Sequence, residues 1–310
     1  MSRRSPRFCH LCGAPLALVG QYLMYPNGLV ICPTCESTAP RCQRCGLPGR
    51  HLGQAGGAVL CPACRSQVAF CGCCGRALLE TAYLIGDSPV KYCQRCLEER
   101  PRCDVCQAPL NERGRLLPGL HGVTRRCALC WAEAVQGPQE AEPLYQRVFA
   151  VLQQEPGLAL PVLPRLHLCE RKVLQELHQQ HGRSLQPGEG GESSDPHLLG
   201  MFLQQGQAQD IYIEHYLPRD LFQAVAAHEL AHAWQAWQGL QELPLLVGEG
   251  FAEWTAYHVL QALGEERMVR RLLRRRDLYG QGLQRFLTLE QRQGRAAVLT
   301  AARARGSLPL

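Results

Sequence analysis

The spacing of hydrophobic positions changes along the chain. From residue 165 onward, apolar residues fall into short alternating runs and longer helical ones. Residues 165–169 alternate as a strand does, and 199–204 and 210–216 read as two more strands joined by a short turn. Apolar positions at helical spacing predict helices over 144–152, 170–181, 219–237, 248–263 and 266–275, then over 283–290 and 295–305. Residues 182–197 are rich in Gly, Ser and Pro and read as a loop. No run of 18 apolar residues exists, so no helix is expected to span a membrane.

Before residue 135 the apolar residues follow no such period, and cysteine sets the pattern. Sixteen of the 18 cysteines form eight Cys-x-x-Cys pairs: Cys9/Cys12, Cys32/Cys35, Cys42/Cys45, Cys61/Cys64, Cys71/Cys74, Cys93/Cys96, Cys103/Cys106 and Cys127/Cys130. Long gaps of 19, 15, 18 and 20 residues alternate with short gaps of six. A long gap fits a hairpin that returns to its own metal, and a short one fits a linker. The spacing therefore predicts four sequential four-cysteine zinc sites, with a cross-braced pairing as the alternative. Turn signals at Pro26-Asn27-Gly28 and Gly86-Asp87-Ser88 lie within long gaps. Gly13, Gly46 and Gly75 directly follow the first pair of their modules, where glycine permits a tight turn aiming N–H groups at sulfur. Cys73 and Cys169 are spare. Modules this small bury little apolar surface, so metal must supply much of their folding energy.

The expected organisation is α+β: a zinc-binding array over 1–134, a linker over 135–142 and a second domain over 143–310. The N-terminus has basic residues but no apolar stretch behind them. With no secretory signal expected, a reducing, cytoplasmic setting favours thiolates on zinc over disulfides. The formal charge of +6 changes once metal is counted. Each four-thiolate zinc site carries about −2 and a zinc on two histidines and a glutamate adds about +2, which brings the loaded chain near neutral. That weakens the case for nucleic acid as a partner.

The second domain carries His228-Glu229-Leu230-Ala231-His232. In a helix, positions i and i+4 share a face, so His228 and His232 can point two imidazoles at one metal, with Glu229 beside them to take a proton from water. Leu217-Pro218-Arg219-Asp220 is a plausible helix start. A catalytic zinc commonly has three protein ligands. Glu249, 17 residues after His232, can supply the third from the following helix. Glu253, one turn further on, is the rival; with Glu249 as ligand it becomes an acceptor for an imidazole N–H. Tyr279 and His258 are candidates, by residue type, for stabilising a developing oxyanion. The strand over 210–216 is a candidate edge for an extended peptide. Trp234, Trp237 and Trp254 read as core or groove wall. The basic run Arg267, Arg270, Arg271, Arg274, Arg275 and Arg276 reads as a solvated helix face.

These residues resemble a known family. Ala227 to Trp234, followed by Glu249-Gly250, preceded by Tyr216 to Arg219 and closed by Tyr279-Gly280 with Gly282 and the tail from Arg303, is similar to the plant ubiquitin-activated zinc peptidases that limit organ size and carry LIM domains. The resemblance covers roughly residues 165–309 and fits a bacterial relative. It implies a zincin-like (gluzincin-like) metallopeptidase domain in which His228, His232 and Glu249 hold zinc and Glu229 is the acid/base. It also implies protein or peptide substrates and a ubiquitin or ubiquitin-like regulator. The N-terminal modules are then LIM-like or zinc-ribbon-like β-hairpins. They depart from LIM domains in using only cysteine ligands and six-residue spacers, and the chain has just two lysines, Lys91 and Lys172.

The leading expectation is a zinc-dependent endopeptidase holding one catalytic and about four structural Zn2+. Its array would recruit substrates or restrain the site. The alternative is an adaptor for protein or nucleic acid with an inactive peptidase fold, which draws on the 16 Lys/Arg against 8 Asp/Glu in residues 1–134.

Overall fold

A computed structural model of the chain describes residues 8–86, 88–119, 122–181, 198–240 and 243–303. The expected loop at 182–197, Asp87 of the second turn signal, and the tail beyond Arg303 lie outside the described residues. The chain divides into two compact units, Met1–Arg102 with Cys106–Asn111, and Cys103–Val105 with Glu112–Leu310. The division thus falls ahead of the expected boundary at residue 134.

The first unit repeats one design. In the first module a Cys-x-x-Cys turn leads through α1 (Leu16–Val19) to a hairpin of β1 (Leu23–Met24) and β2 (Val30–Ile31), then to α2 (Pro33–Thr38). The second has β3 (Gly53–Ala55), β4 (Ala58–Leu60) and α3 (Pro62–Gln67), and the third β5 (Tyr83–Leu84), β6 (Lys91–Tyr92) and α4 (Gln94–Glu99). The second cysteine pair always opens the short helix. Cys32 and Cys61 are N-caps whose sulfurs accept the N–H of Cys35 and Cys64. Gly28 closes the first hairpin at φ +80°, its N–H donating to the Tyr25 carbonyl at 2.9 Å. The module cores are small: Leu11, Leu16, Val30 and Ile31 in the first, and Ala58, Leu60 and Val68 in the second, joined by Ala77 of the third.

The second unit begins with the hairpin β7 (Arg115–Gly119) and β8 (Gly122–Arg126), then α5 (Ala128–Ala132) and α6 (Pro138–Gln154). Residues 135–142, expected as a linker, are structured. Val135 is buried and donates its N–H to the Leu217 carbonyl at 2.9 Å, and Ala141 is fully buried. Gly137-Pro138, which reads as a loop signal, is a helix start: proline at the first helical position gives up an N–H that has no partner there.

A three-stranded sheet follows, from β9 (Arg165–Cys169), β10 (Gly200–Gln205) and β11 (Ala208–Glu214), with α7 (Arg171–His181) after β9. The order is β10-β11-β9, antiparallel then parallel. The strand expected at an edge, β11, is therefore central. Its Ile211 and Ile213 are fully buried, and β10 is the edge next to the cleft among the described residues.

Five helices complete the unit: α8 (Arg219–Trp237), α9 (Leu245–Leu263), α10 (Glu266–Leu273), α11 (Leu278–Gln293) and α12 (Arg295–Arg303). Pro218 and Pro244 cap α8 and α9. Both helices are buried on nearly all sides, so they form the core rather than cover it. Phe251 is the hub, with ring centroids 5.2 Å from Trp234, 5.6 Å from Trp254 and 5.9 Å from Phe286. Trp237, by contrast, is exposed. Among the described residues no helix is long and apolar enough to cross a membrane.

Candidate metal centres

Four cysteine tetrads gather their sulfurs: Cys9, Cys12, Cys32 and Cys35; Cys42, Cys45, Cys61 and Cys64; Cys71, Cys74, Cys93 and Cys96; and Cys103, Cys106, Cys127 and Cys130. The pairs combine sequentially, not in the cross-braced order. Sulfurs lie 3.8 Å apart for Cys12 and Cys32, 4.0 Å for Cys45 and Cys61, and 3.9 Å for Cys74 and Cys93. Tetrahedral thiolates on zinc stand roughly 3.7 Å apart, so these spacings fit. They are far too long for disulfides, and the cysteines are free.

The turns supply the electrostatics. Cys9 Sγ accepts the N–H of Cys12 at 3.5 Å and of Cys32 at 3.4 Å. Burial pushes the Cys9 thiol up, but the N–H groups of Cys12, Cys32 and Leu11 outweigh it and bring it down to about 6. Cys42 and Cys71 are drawn down to about 6 by the same balance. Gly13, Gly46 and Gly75 take φ of +74°, +71° and +70°. At the matching place in the fourth tetrad stands Gln107 at φ +61°, a conformation that costs a side-chain-bearing residue. Cys73 lies outside its tetrad, its Sγ 3.3 Å from the Leu110 carbonyl.

The second unit brings together His228, His232 and Glu249. His228 Nε2 lies 3.1 Å from His232 Nε2 and 3.1 Å from Glu249 Oε2, and His232 Nε2 lies 3.4 Å from that oxygen. Ligands about 2.0–2.1 Å from a tetrahedral zinc stand roughly 3.3 Å apart, so the triangle accepts one ion. The surroundings favour positive charge. Burial alone would push His232 down, yet the Glu249 carboxylate raises it to about 9. Glu249 is held well below the usual carboxylate range: burial opposes, and the two imidazoles win.

Gln235, which the motif does not include, orients His232. Its Nε2 donates to the Gly248 carbonyl at 3.0 Å, leaving Oε1 to accept from His232 Nδ1 at 2.9 Å. The Nε2 lone pair of His232 is thereby turned toward the centre. A polar residue three positions after His232 in a buried helical stretch was the available signal. Glu253 does not hydrogen-bond the His228 ring. Its Oε1 is 3.8 Å from Nδ1 and is held instead by Arg275 at 2.5 Å, while Oε2 is buried without a hydrogen-bond partner. Arg275 also pairs with Asp277 at 2.7 Å and stacks 4.5 Å from the Tyr279 ring centroid. It sits inside what reads from sequence as a solvated basic face.

Glu229 is buried, and burial pushes its carboxyl up. It lines a cleft of about 750 Å³ together with His228, His232, Glu249 and the strand β10. The Tyr279 ring is in the same cleft, 6.0 Å from the His228 ring. His258 is not there. It donates from Nε2 to Glu290 at 2.8 Å, beside Trp254 and Arg295, and ties α9 to α11 and α12, so the oxyanion role is withdrawn for it. Its place in the middle of a buried helix, one turn after Trp254, is that of a core histidine.

Comparison of the chain with family models, with curated proteins and with solved structures gave no match.

Proposed function

We propose that the chain is a zinc-dependent endopeptidase of protein substrates, acting in the cytoplasm, in which His228, His232 and Glu249 hold the catalytic ion. One observation carries the reading: three metal-binding atoms and the buried carboxylate of Glu229 line one cleft with β10, an edge strand among the described residues. A structural zinc normally closes with four protein ligands, and here a fourth side-chain ligand is absent among the described residues. Zinc bound there supplies Lewis acidity toward a carbonyl and acidifies water.

The chain's own groups do the rest. Glu229 takes the proton from the attacking water and returns it to the leaving amine nitrogen. Gln235 keeps His232 in the tautomer a ligand needs. Tyr279, steadied by the Arg275 guanidinium over its ring, offers its phenol to the oxygen that becomes negative. The outer edge of β10 offers backbone groups to an extended peptide, a role transferred from β11. The four cysteine tetrads are structural zinc sites, and their array recruits substrates or restrains the active site.

The experiment is Glu229→Gln in the full chain, assayed on an unfolded protein substrate. The variant keeps its zinc and loses at least about 10²-fold in cleavage rate. Undiminished cleavage by Glu229→Gln removes the mechanism. A second reading, an adaptor with an inactive site, draws on the excess of Lys/Arg over Asp/Glu in residues 1–134. Strong salt-dependent nucleic-acid binding by the full chain, with no cleavage, favours it.

A further inference from the structure

The basic run after Glu266 separates into arginines with different partners. Arg267 pairs with Glu133 at 2.7 Å and Asp220 at 2.8 Å, Arg270 with Glu266 at 3.2 Å, and Arg275 with Glu253 and Asp277. Arg271 is different. It is exposed, and among the described residues its guanidinium has no hydrogen bond or ion pair.

Its position matters more than its exposure. Met268, Arg271 and Leu272 recur at helical spacing on α10 and, with Arg275 just beyond its end, line the cleft that holds Glu229 and the metal-binding triad. Arg275 stands beside His228, through Glu253. Arg271 lies earlier in the chain, within α10, and lines the same cleft. The α8 side chains lining the same cleft before His228, from Leu221 to Val225, are apolar. Of the carboxylates lining the cleft, Glu249 is held by two imidazoles, and Glu253 and Asp277 are paired with Arg275. Arg271 is thus an exposed cation without a counterion among the described residues, on the wall of a binding cleft, where a guanidinium favours a carboxylate.

We infer that Arg271 selects substrates by a carboxylate bound in the same cleft, either an acidic side chain or the peptide's C-terminus. The inference rests on the peptidase reading for the identity of the occupant, and it is tested by binding rather than turnover. The zinc-loaded Glu229→Gln chain is titrated with three short fluorescent peptides of one sequence: a central Gln with an amidated end, a central Glu with an amidated end, and a central Gln with a free C-terminus. One carboxylate-bearing peptide binds about three- to fivefold more tightly than the neutral one, and which of them does so identifies the source. Adding Arg271→Gln erases the difference, raised salt shrinks it, and Arg271→Glu reverses it toward a Lys-containing peptide. Equal affinities, including no measurable binding of any peptide, or a preference that survives Arg271→Gln, overturn the inference. Cleavage by the unsubstituted chain is read separately. A charge preference without cleavage keeps Arg271's role and removes the peptidase reading; cleavage without a preference does the reverse.

Discussion

Gly250 and Gly282 meet backbone to backbone. A Cβ on Gly250 would lie 2.6 Å from the Gly282 Cα, and one on Gly282 would lie 2.5 Å from the Gly250 Cα. This contact lets α9 and α11 pack closely one residue after Glu249 and three residues after Tyr279. Gly282→Ala must therefore push the helices apart at the site. We expect a loss of about 1–3 kcal/mol in stability, measured by thermal or denaturant unfolding, with weaker zinc binding at His228, His232 and Glu249. An alanine that leaves both unchanged contradicts the role given to this contact.

Gln235 holds His232 by Nδ1 and is itself held by the Gly248 carbonyl. Gln235→Leu removes that orientation without removing a ligand. Zinc affinity at the site should fall about 10- to 100-fold, read by competition with a calibrated chelator, while the cysteine sites keep theirs.

Arg126 is fully buried. It donates from Nη2 to Glu214 at 2.6 Å and from Nε to the Tyr216 carbonyl at 2.8 Å, just before the α8 cap, and Arg171 holds the other Glu214 oxygen at 2.8 Å. Arg126→Ala strands part of a buried carboxylate. A cost of about 3 kcal/mol follows, toward the low end for a broken buried pair because Arg171 remains. Unfolding of the full chain, followed by near-ultraviolet signals from the second unit's tryptophans, measures it. A change under about 0.5 kcal/mol, the level of ordinary surface substitutions, contradicts it.

The left-handed position after the first cysteine pair offers a comparison between modules. Gly46 at φ +71° has open space for a Cβ, so Gly46→Ala tests conformation alone and should cost about 1–2 kcal/mol. Gln107→Gly relieves the same strain, and its module should resist chelators longer than the parent's. If both substitutions act in the same direction, backbone strain is not the cause.

Much of this was legible beforehand, for identifiable reasons. α8 was readable end to end, because Pro218 and the buried run after it mark a helix. β9, β10 and β11 were readable from their alternation. The tetrads followed from gap lengths, since a polymer returning to one metal needs a hairpin's worth of chain. What escaped depended on packing between distant segments. Strand order cannot be read from alternation alone: nothing in the sequence of β11 shows that β9 pairs with it from 45 residues upstream. Residues 135–142 carry loop-forming types, yet Val135 finds its partner at Leu217. Arg275 belongs to a run of arginines that look alike in sequence, and only the fold separates the one facing Glu253 from its solvated neighbours.

His228, His232 and Glu249 form a candidate metal site distinct from the cysteine tetrads. Native mass spectrometry of the full chain, purified with zinc present, counts bound ions directly. The account requires about five zincs in the parent and one fewer in the His228→Ala/His232→Ala double variant. Four in both, with the triad contributing none, would contradict it.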